Sequence, residues 1–484
     1  MKNMKNIKNT NIDQYILSTQ IKIAEAYKAN EIEKVLKLQR ELVLNANVCW
    51  IVVKRVMANS GNKTLGVDLE TKSTTAINEM VNRLLQHHER YMAKPARRIY
   101  IEKANGKKRP LSIPTLYDRC VQELYRMAIV SIAETQGDDN SFGFRQGRST
   151  RDALIALAYN INGKQKTKQG KWVIARYVID ADIKSLLDNI DHQWIMANIP
   201  MDKRILNEFL KAGYIEYKGS FHITNEGIPQ VGVISPVIVN MVLDGLEAHI
   251  MKDLTRKKVT GIGIKLTNFV RYVDDFMITY PYEWMGEIIK KSVIVFLTKR
   301  GLNLSKEKIK IIDTLSTENG TVNYLGCEIM RQHRNELNRI PLSKVSADQM
   351  FVATRIPKIK INNFIKNIRK IVKSDYNKSI QVLVDELNSK LREWGNYYVH
   401  GNVSQDFRQI DQKIFHIVMR WIKTKFNLKT YNAAISKVGI KEKEHLNMKI
   451  GYISENKTKV FLVNLGSMKL YREGKVRRPK LFKK

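Results

Sequence analysis

The sequence predicts an α+β fold, in which helical stretches and short strands both recur along the chain. Residues from about Ile16 to Met57 carry apolar side chains at helical spacing among Lys and Glu, with no proline. Between about Arg97 and Ile329, short runs rich in β-branched and aromatic residues alternate with Gly, Asn and Asp turn signals. Beyond residue 340 the composition turns helical and basic.

The amino-terminal helical layer ends at a polar break, Asn59-Ser60-Gly61-Asn62-Lys63-Thr64-Leu65-Gly66-Val67-Asp68, which reads as a loop with Lys63 placed to touch a phosphate. A second helical run continues through Leu85. Arg97 to Lys103 and Arg109 to Pro114 then read as two strands joined through Asn105-Gly106, a hairpin-turn signal. Lys103, Lys107, Lys108 and Arg109 crowd its tip, so the hairpin could fold over a triphosphate. A solvated charged turn is the alternative for any one of these lysines taken alone.

Tyr117 to Ala133 has helical spacing. The segment Ser141-Phe142-Gly143-Phe144-Arg145-Gln146-Gly147-Arg148-Ser149 alternates small, aromatic and basic residues, as suits a loop lying along a sugar-phosphate backbone. Ser149 or Thr150 is placed to cap the helix starting at Arg151. Trp172 to Asp182 reads as one buried strand, and it opens a stretch with four acids in twelve residues: Asp180, Asp182, Asp188 and Asp191. Asp180 and Asp182 share one face of that strand. Asp188 and Asp191 cap or solvate the helix that follows.

Gly227-Ile228-Pro229-Gln230-Val231-Gly232-Val233-Ile234-Ser235-Pro236 is a turn entering a helix, with Ser235 and Pro236 in cap and first-turn positions. Gln230 has no packing role in such a turn and is suited to hydrogen-bond a ribose or base. A tight acidic hairpin follows, Tyr272-Val273-Asp274-Asp275, set between Phe269-Val270 and Phe276-Met277-Ile278. Adjacent carboxylates at a hairpin tip are costly unless positive charge sits there. A pair of divalent cations about 3.5–4 Å apart would supply it, and such pairs catalyse in-line displacement at phosphorus. An exposed Asp-Asp turn is the alternative for the dipeptide in isolation.

Ile288 to Lys299 is helical, Gly301 to Lys308 forms a turn leading to a strand, and Val322 to Ile329 reads as one further strand. From Val345 to about Phe426 three or more helices are expected, with Trp394, Tyr397, Tyr398, Trp421 and Phe426 interleaved among Lys and Arg. The tail from Leu470 is basic, a composition of solvated extensions that also suits nucleic-acid binding.

Bulk properties agree with a polyanion partner. The 83 Lys and Arg outnumber the 47 Asp and Glu by 36, and cations that neutralise phosphates release condensed counterions. No apolar run approaches the ~18 residues of a membrane span, since the longest candidate, Val231 to Leu243, is interrupted by Ser235, Pro236 and Asn240. The three cysteines, Cys49, Cys120 and Cys327, are scattered, which argues for a reducing compartment and against a cysteine-based zinc module. Met1 to Thr10 lacks an apolar core, so it is not a secretory signal.

The ordered series Ile101-Glu102-Lys103 with Lys108-Arg109-Pro110-Leu111, FGFRQGRS, ADIKSLLDNIDH, GIPQVGVISP, RYVDDF, GLNLSKEKIKI and YLGCEI resembles the successive blocks of a reverse transcriptase. The leading NSGNKTLGVD and the downstream LREWGNYYV narrow the resemblance to the group II intron-encoded class, over roughly residues 45–430. It implies a right-hand polymerase with fingers and an antiparallel palm sheet, followed by an α-helical thumb and maturase domain. The corresponding divisions are 1–95 for a helical extension and fingers entry, 96–340 for fingers and palm, 341–430 for thumb and maturase, and 431–484 for a basic C-terminal segment.

The same resemblance implies an RNA-directed DNA polymerase whose two Mg²⁺ ions are held by Asp182, Asp274 and Asp275, with the Ile183 carbonyl assisting. Deoxynucleoside triphosphates are the implied substrates: Lys103 and Arg109 match residues that hold the triphosphate, Gln230 one beside the nucleotide sugar, and Lys308 a basic position near the site. Implied partners are intron RNA, an RNA/DNA template-primer and a DNA target, and no membrane. A bacterial cytoplasm or an organelle is the expected location. No zinc-bound HNH nuclease segment resembling that of many relatives follows, so cleavage of a second DNA strand is not expected.

Four positions depart from the family pattern. Leu187 stands five residues after Asp182 where an aromatic usually excludes the ribose 2′-hydroxyl, Val231 replaces a glycine, Val273 an alanine and Gln146 a proline. Two other readings remain open at this point: a maturase acting mainly as an RNA-folding splicing factor, and a free-standing reverse transcriptase in repair or defence.

Overall fold

The computed structural model describes residues 9–59, 64–70, 75–102, 106, 108–216, 219–229, 232–259, 261–305, 309–333, 342–441 and 448–470. Helices α1 (Asn9–Lys28), α2 (Ile32–Val43), α3 (Ala46–Ala58) and α4 (Ile77–Gln86) lead into β1 (Ala96–Glu102), β2 (Lys108–Ile113) and α5 (Leu116–Gln136). Next come α6 (Thr150–Ile161), β3 (Lys164–Lys166), β4 (Trp172–Ile174), β5 (Tyr177–Asp182), α7 (Leu186–Asn189), α8 (His192–Asn198) and α9 (Lys203–Lys211). They are followed by β6 (Tyr214–Ile215), β7 (Phe221–His222), α10 (Ser235–Leu243), α11 (Leu246–Arg256), α12 (Ile262–Lys265), β8 (Asn268–Tyr272) and β9 (Asp275–Tyr280). Then α13 (Met285–Thr298) precedes β10 (Lys310–Asp313), β11 (Val322–Tyr324), β12 (Cys327–His333) and β13 (Met350–Arg355). The chain continues with α14 (Lys358–Lys373), α15 (Ile380–Tyr398), α16 (Ser404–Lys425), α17 (Tyr431–Val438), β14 (Gly439–Lys441), β15 (Met448–Ile453) and β16 (Lys459–Phe461).

Two compact units divide these elements, one from residues 9–149 and 179–311, the other from 150–178 and 312–470. In the first, α5 is the central post. Cys120, Leu124, Ala128, Ile129 and Ile132 along it are buried, and α1, α2, α3 and α10 pack against it. Polar groups at its start fix where it begins: the Thr115 hydroxyl accepts the Asp118 N–H at 3.1 Å. The hairpin β1–β2 forms as its Asn-Gly signal predicts, with Glu102 opposite Lys108, and Gly106 at its tip has φ +76°. β6 and β7 extend that sheet to the order β2-β1-β6-β7. A second sheet, in the order β10-β5-β9-β8, carries the acidic hairpin.

In the second unit α14, α15 and α16 are the three expected helices. Phe407, Leu387, Leu391 and Trp421 are among their fully buried side chains. The Trp421 indole N–H donates to the Asp375 carbonyl at 3.2 Å, so burial leaves no polar atom of that ring unpaired.

Several expectations need correction. Trp172 to Asp182 is two strands, because the backbone at Ala175-Arg176 is claimed by other partners. The Arg331 guanidinium donates to the Ala175 carbonyl at 3.0 Å, and the Thr314 N–H donates to the Arg176 carbonyl at 2.9 Å. The single strand expected over Val322 to Ile329 is a hairpin, β11–β12, turning at Leu325 and Gly326 with φ +44° and +74°. The stretch expected to be helical from Val345 begins with β13, which pairs with β12, and β14, β15 and β16 form a small sheet beyond α17. Ser235 is the first residue of α10, not its side-chain cap, and its hydroxyl donates to the Pro229 carbonyl at 2.8 Å. Among the described residues no helix is long and apolar enough to cross a membrane. Lys63, Lys107 and the basic tail from 471 lie outside the described residues.

Candidate active site

The acidic hairpin is a two-residue turn. Tyr272 lies opposite Asp275 in the antiparallel pair β8–β9, leaving Val273 and Asp274 at the tip. Val273 has φ +63°, a conformation that suits the turn but is a true outlier for a β-branched residue. Holding it costs roughly 1–3 kcal/mol, which the surroundings must offset.

Those surroundings come from distant segments of the chain. Residues 140–142 dock beside β8: the Arg271 N–H donates to the Asn140 carbonyl at 2.9 Å, and the Phe142 N–H donates to the Arg271 carbonyl at 2.8 Å. Gly143 lies against the tip, and the Asn240 amide donates to its carbonyl at 2.9 Å. Arg271 itself is 0% exposed. Its guanidinium donates to Asp244 at 2.8 Å, to Asn240 at 3.2 Å and to the Val273 carbonyl at 3.4 Å. Burial also pushes the Tyr272 hydroxyl above its ordinary pKa.

β5 neighbours β9 in the sheet. Asp182, the last residue of β5, and Asp275, the first of β9, therefore sit on adjacent strands, with Asp274 one residue away. The Asp182 carbonyl accepts the Ser305 N–H at 3.0 Å, and the Lys184 N–H donates to the Asn303 carbonyl at 3.0 Å. Ile183 between them is buried and bridges Leu304. Carboxylates alone make an oxygen donor set, which suits a hard divalent cation. Among the described residues no group of three or more His, Cys, Asp or Glu encloses a single point. Mg²⁺ is commonly held by one or two carboxylates together with substrate phosphates, so the donor set fits that ion.

The other expected site residues fare unequally. Arg109 lies in β2 opposite Ile101, and Lys103, Gln230 and Lys308 lie outside the described residues. In the FGFRQGRS loop, read from its composition as suited to a sugar-phosphate backbone, both arginine side chains turn inward. Arg145 donates to Asp244, to Glu134 at 3.2 Å and to the Ala133 carbonyl at 3.1 Å, and its side chain is 1% exposed. Arg148 donates to the Asp139 carbonyl at 2.9 Å. Phe144, with φ +54°, is exposed in that loop, as are Gln146 and Ser149. Sequence reading gave no role to Arg271 or Asp244 and noted Asn240 only as a break in an apolar run. The available signal was a charged or amide group inside an apolar run, which is rarely buried unless paired.

Comparison with known proteins completes the picture. The family described as "Reverse transcriptase (RNA-dependent DNA polymerase)" matches residues 101–329. The "N-terminal domain of reverse transcriptase" matches 5–84, and the "Group II intron, maturase-specific domain" matches 361–439. The chain belongs to the reverse transcriptases, RNA-directed DNA polymerases, in the class encoded by group II introns and carrying a maturase domain. It is similar to "Protein YkfC" of Escherichia coli (strain K12), 28% identical over 69% of this chain and 91% of that protein. "Group II intron-encoded protein LtrA" of Lactococcus lactis subsp. cremoris is 32% identical over 48% of this chain, which spans 38% of that protein. The "Uncharacterized 91 kDa protein in cob intron" of Schizosaccharomyces pombe is 25% identical over 83% of this chain and 56% of its own length.

Proposed function

We propose that this chain copies RNA into DNA by two-metal nucleotidyl transfer and assists a group II intron RNA to fold and splice. The observation that carries the reading is the held turn bearing Asp274 and Asp275 on a strand next to the one ending in Asp182, all inside the matched reverse transcriptase segment.

In this reading Asp182, Asp274 and Asp275, with the Ile183 carbonyl, hold two Mg²⁺ ions. When bound, the metals supply activation of the primer 3′-hydroxyl and stabilisation of charge on the leaving pyrophosphate. The protein's own contribution is positioning. The rigid turn fixes the carboxylates against the sheet, and Tyr272 and Val273 border the primer terminus. Lys103 and Arg109 grip the triphosphate of an incoming deoxynucleotide, Gln230 lies beside its sugar, and Lys308 adds a cation nearby.

The right-hand description follows from the same reading. Residues 96–340 supply fingers and palm, preceded by the helical layer of 1–95. The helices of 341–430 supply the thumb and maturase domain, and 431–484 add a basic segment. Within the maturase match Tyr376, Tyr397 and Phe415 are exposed, and aromatic faces among cations suit stacking on unpaired bases. Intron RNA, an RNA/DNA template-primer and a DNA target are the proposed partners, in a bacterial cytoplasm or an organelle.

Primer extension on a primed RNA template with Mg²⁺ tests the polymerase, with Asp274→Asn as control. The wild type is expected to extend the primer, and the variant to bind RNA equally well and extend nothing. Splicing of an intron RNA by the same variant separates RNA folding from polymerisation. An inactive wild type that still promotes splicing would leave only the maturase half standing.

A further inference from the structure

We propose that Arg271, held from behind by Asp244 and Asn240, is a positioning residue that sets the aim of the Asp274 and Asp275 carboxylates through the carbonyl of Val273. The proposal rests on the reading of those carboxylates as cation-binding groups.

A fully buried guanidinium is tolerated only where its donors are matched. Arg271 meets Asp244, Asn240 and the Val273 carbonyl. The first two partners come from the end of α10 and the residue after it. The third is the one strained residue of the catalytic-type hairpin, immediately before Asp274. Because the guanidinium is a planar fork with fixed donor directions, fixing two of its contacts fixes the third. The carbonyl of Val273 is thereby tied to the helix rather than left to relax, and any relaxation of φ at Val273 would swing the Asp274 side chain.

The tether is itself anchored. Asp244 also accepts from Arg145, and Arg145 reaches Glu134 at 3.2 Å and the Ser141 hydroxyl at 3.1 Å. Asn240 uses both ends of its amide, accepting from Arg271 and donating to the Gly143 carbonyl at 2.9 Å. Gly143 is the residue against which Val273 packs. One amide thus links both supports of the turn. Asp138 accepts the Gly245 N–H at 3.1 Å and adds a second buried carboxylate beside the two arginines. A buried ion pair serving stability alone would need no contact with the hairpin tip.

Titration of the full chain with Mn²⁺, followed by the electron paramagnetic resonance of the free ion, tests the proposal without requiring catalysis. Asp274→Asn identifies the site by abolishing it. Arg271→Lys keeps the charge but loses the fork, and is expected to weaken Mn²⁺ binding at that site at least about fivefold, the equivalent of one ordinary hydrogen bond. Asn240→Ala keeps the ion pair, is expected to act in the same direction, and carries the test if the first variant does not fold. RNA affinity is expected to stay at the wild-type value in both. Unchanged Mn²⁺ affinity in the folded variants overturns the proposal, as does a wild type with no Asp274-dependent Mn²⁺ site. An intact Mn²⁺ site that responds to Arg271→Lys in a chain that extends no primer would overturn the polymerase reading and leave the positioning role standing.

Discussion

Gly143 presents a bare Cα to Val273: a Cβ built on it would come 2.5 Å from the Val273 Cγ2 and 2.8 Å from its backbone nitrogen. The nitrogen cannot move without moving the turn, so the smallest possible side chain displaces the acidic hairpin. Gly143→Ala is expected to destabilise by about 1–3 kcal/mol and to lower primer extension at least about tenfold. Single-turnover extension beside thermal melting checks both. A variant that melts early yet extends normally when folded would show that the turn tolerates displacement.

Glu247 supplies a pH signature. Burial pushes its carboxyl up to about 7, although the Asn140 amide donates to it at 2.6 Å, whereas an unfolded Glu titrates near ~4.3. A raised folded pKa means that the native state holds a proton the unfolded chain has lost. The contribution is full below the unfolded pKa and disappears as pH rises through about 7. Denaturant unfolding across pH 5–8 should therefore show stability falling with pH by on the order of 3 kcal/mol from this group, and Glu247→Gln should remove that slope.

Much of this fold is written in local chemistry. Asn45 caps α3 by accepting the Asn47 and Val48 N–H groups, Asp191 caps α8, and β1 pairs with β2 where the sequence signals a hairpin. Local rules also located the acidic hairpin. They failed where a distant partner decides. Arg145 and Arg148 sit in a loop whose composition suits phosphate, yet Glu134 and Asp244 lie eleven and ninety-nine residues from Arg145 and draw it inward. The strand read across Ala175-Arg176 breaks because Arg331 and Thr314 take its carbonyls. β13 is invisible in a basic, helix-like composition because its pairing with β12 supplies the backbone partners.

Arg331 illustrates how much one such distant partner carries. It is 5% exposed, donates to the Ala175 carbonyl at 3.0 Å, the Thr314 hydroxyl at 3.0 Å and the Ile161 carbonyl, and burial pushes its pKa down to about 10. Arg331→Met fills similar volume but leaves these acceptors without a donor. A loss of about 2–4 kcal/mol is expected. Calorimetric melting of the full chain would register it, and a variant that melts like wild type would mean that water replaces the guanidinium.

Leu187 sets the last prediction, on substrate choice. Its carbonyl accepts the Ile228 N–H at 2.6 Å, and a Cβ on Gly227, where φ is +82°, would lie 2.6 Å from that same carbonyl oxygen. α7 and the turn leading to Gln230 are thus pressed together by backbone contact. Leu187 is itself half-buried, and a larger side chain there takes up more of the room left to an occupant of the site. In the proposed reading that occupant is the nucleotide sugar, where an aromatic ring would meet a 2′-hydroxyl and leucine leaves it room. Leu187→Phe should raise the preference for deoxyribonucleotides by roughly tenfold or more, the scale on which pocket shape discriminates a small group. Competing kcat/KM values for dCTP and CTP on one RNA template measure it. The wild type is expected to incorporate CTP detectably, and a wild type that already rejects CTP as strongly as the variant would place the discrimination elsewhere.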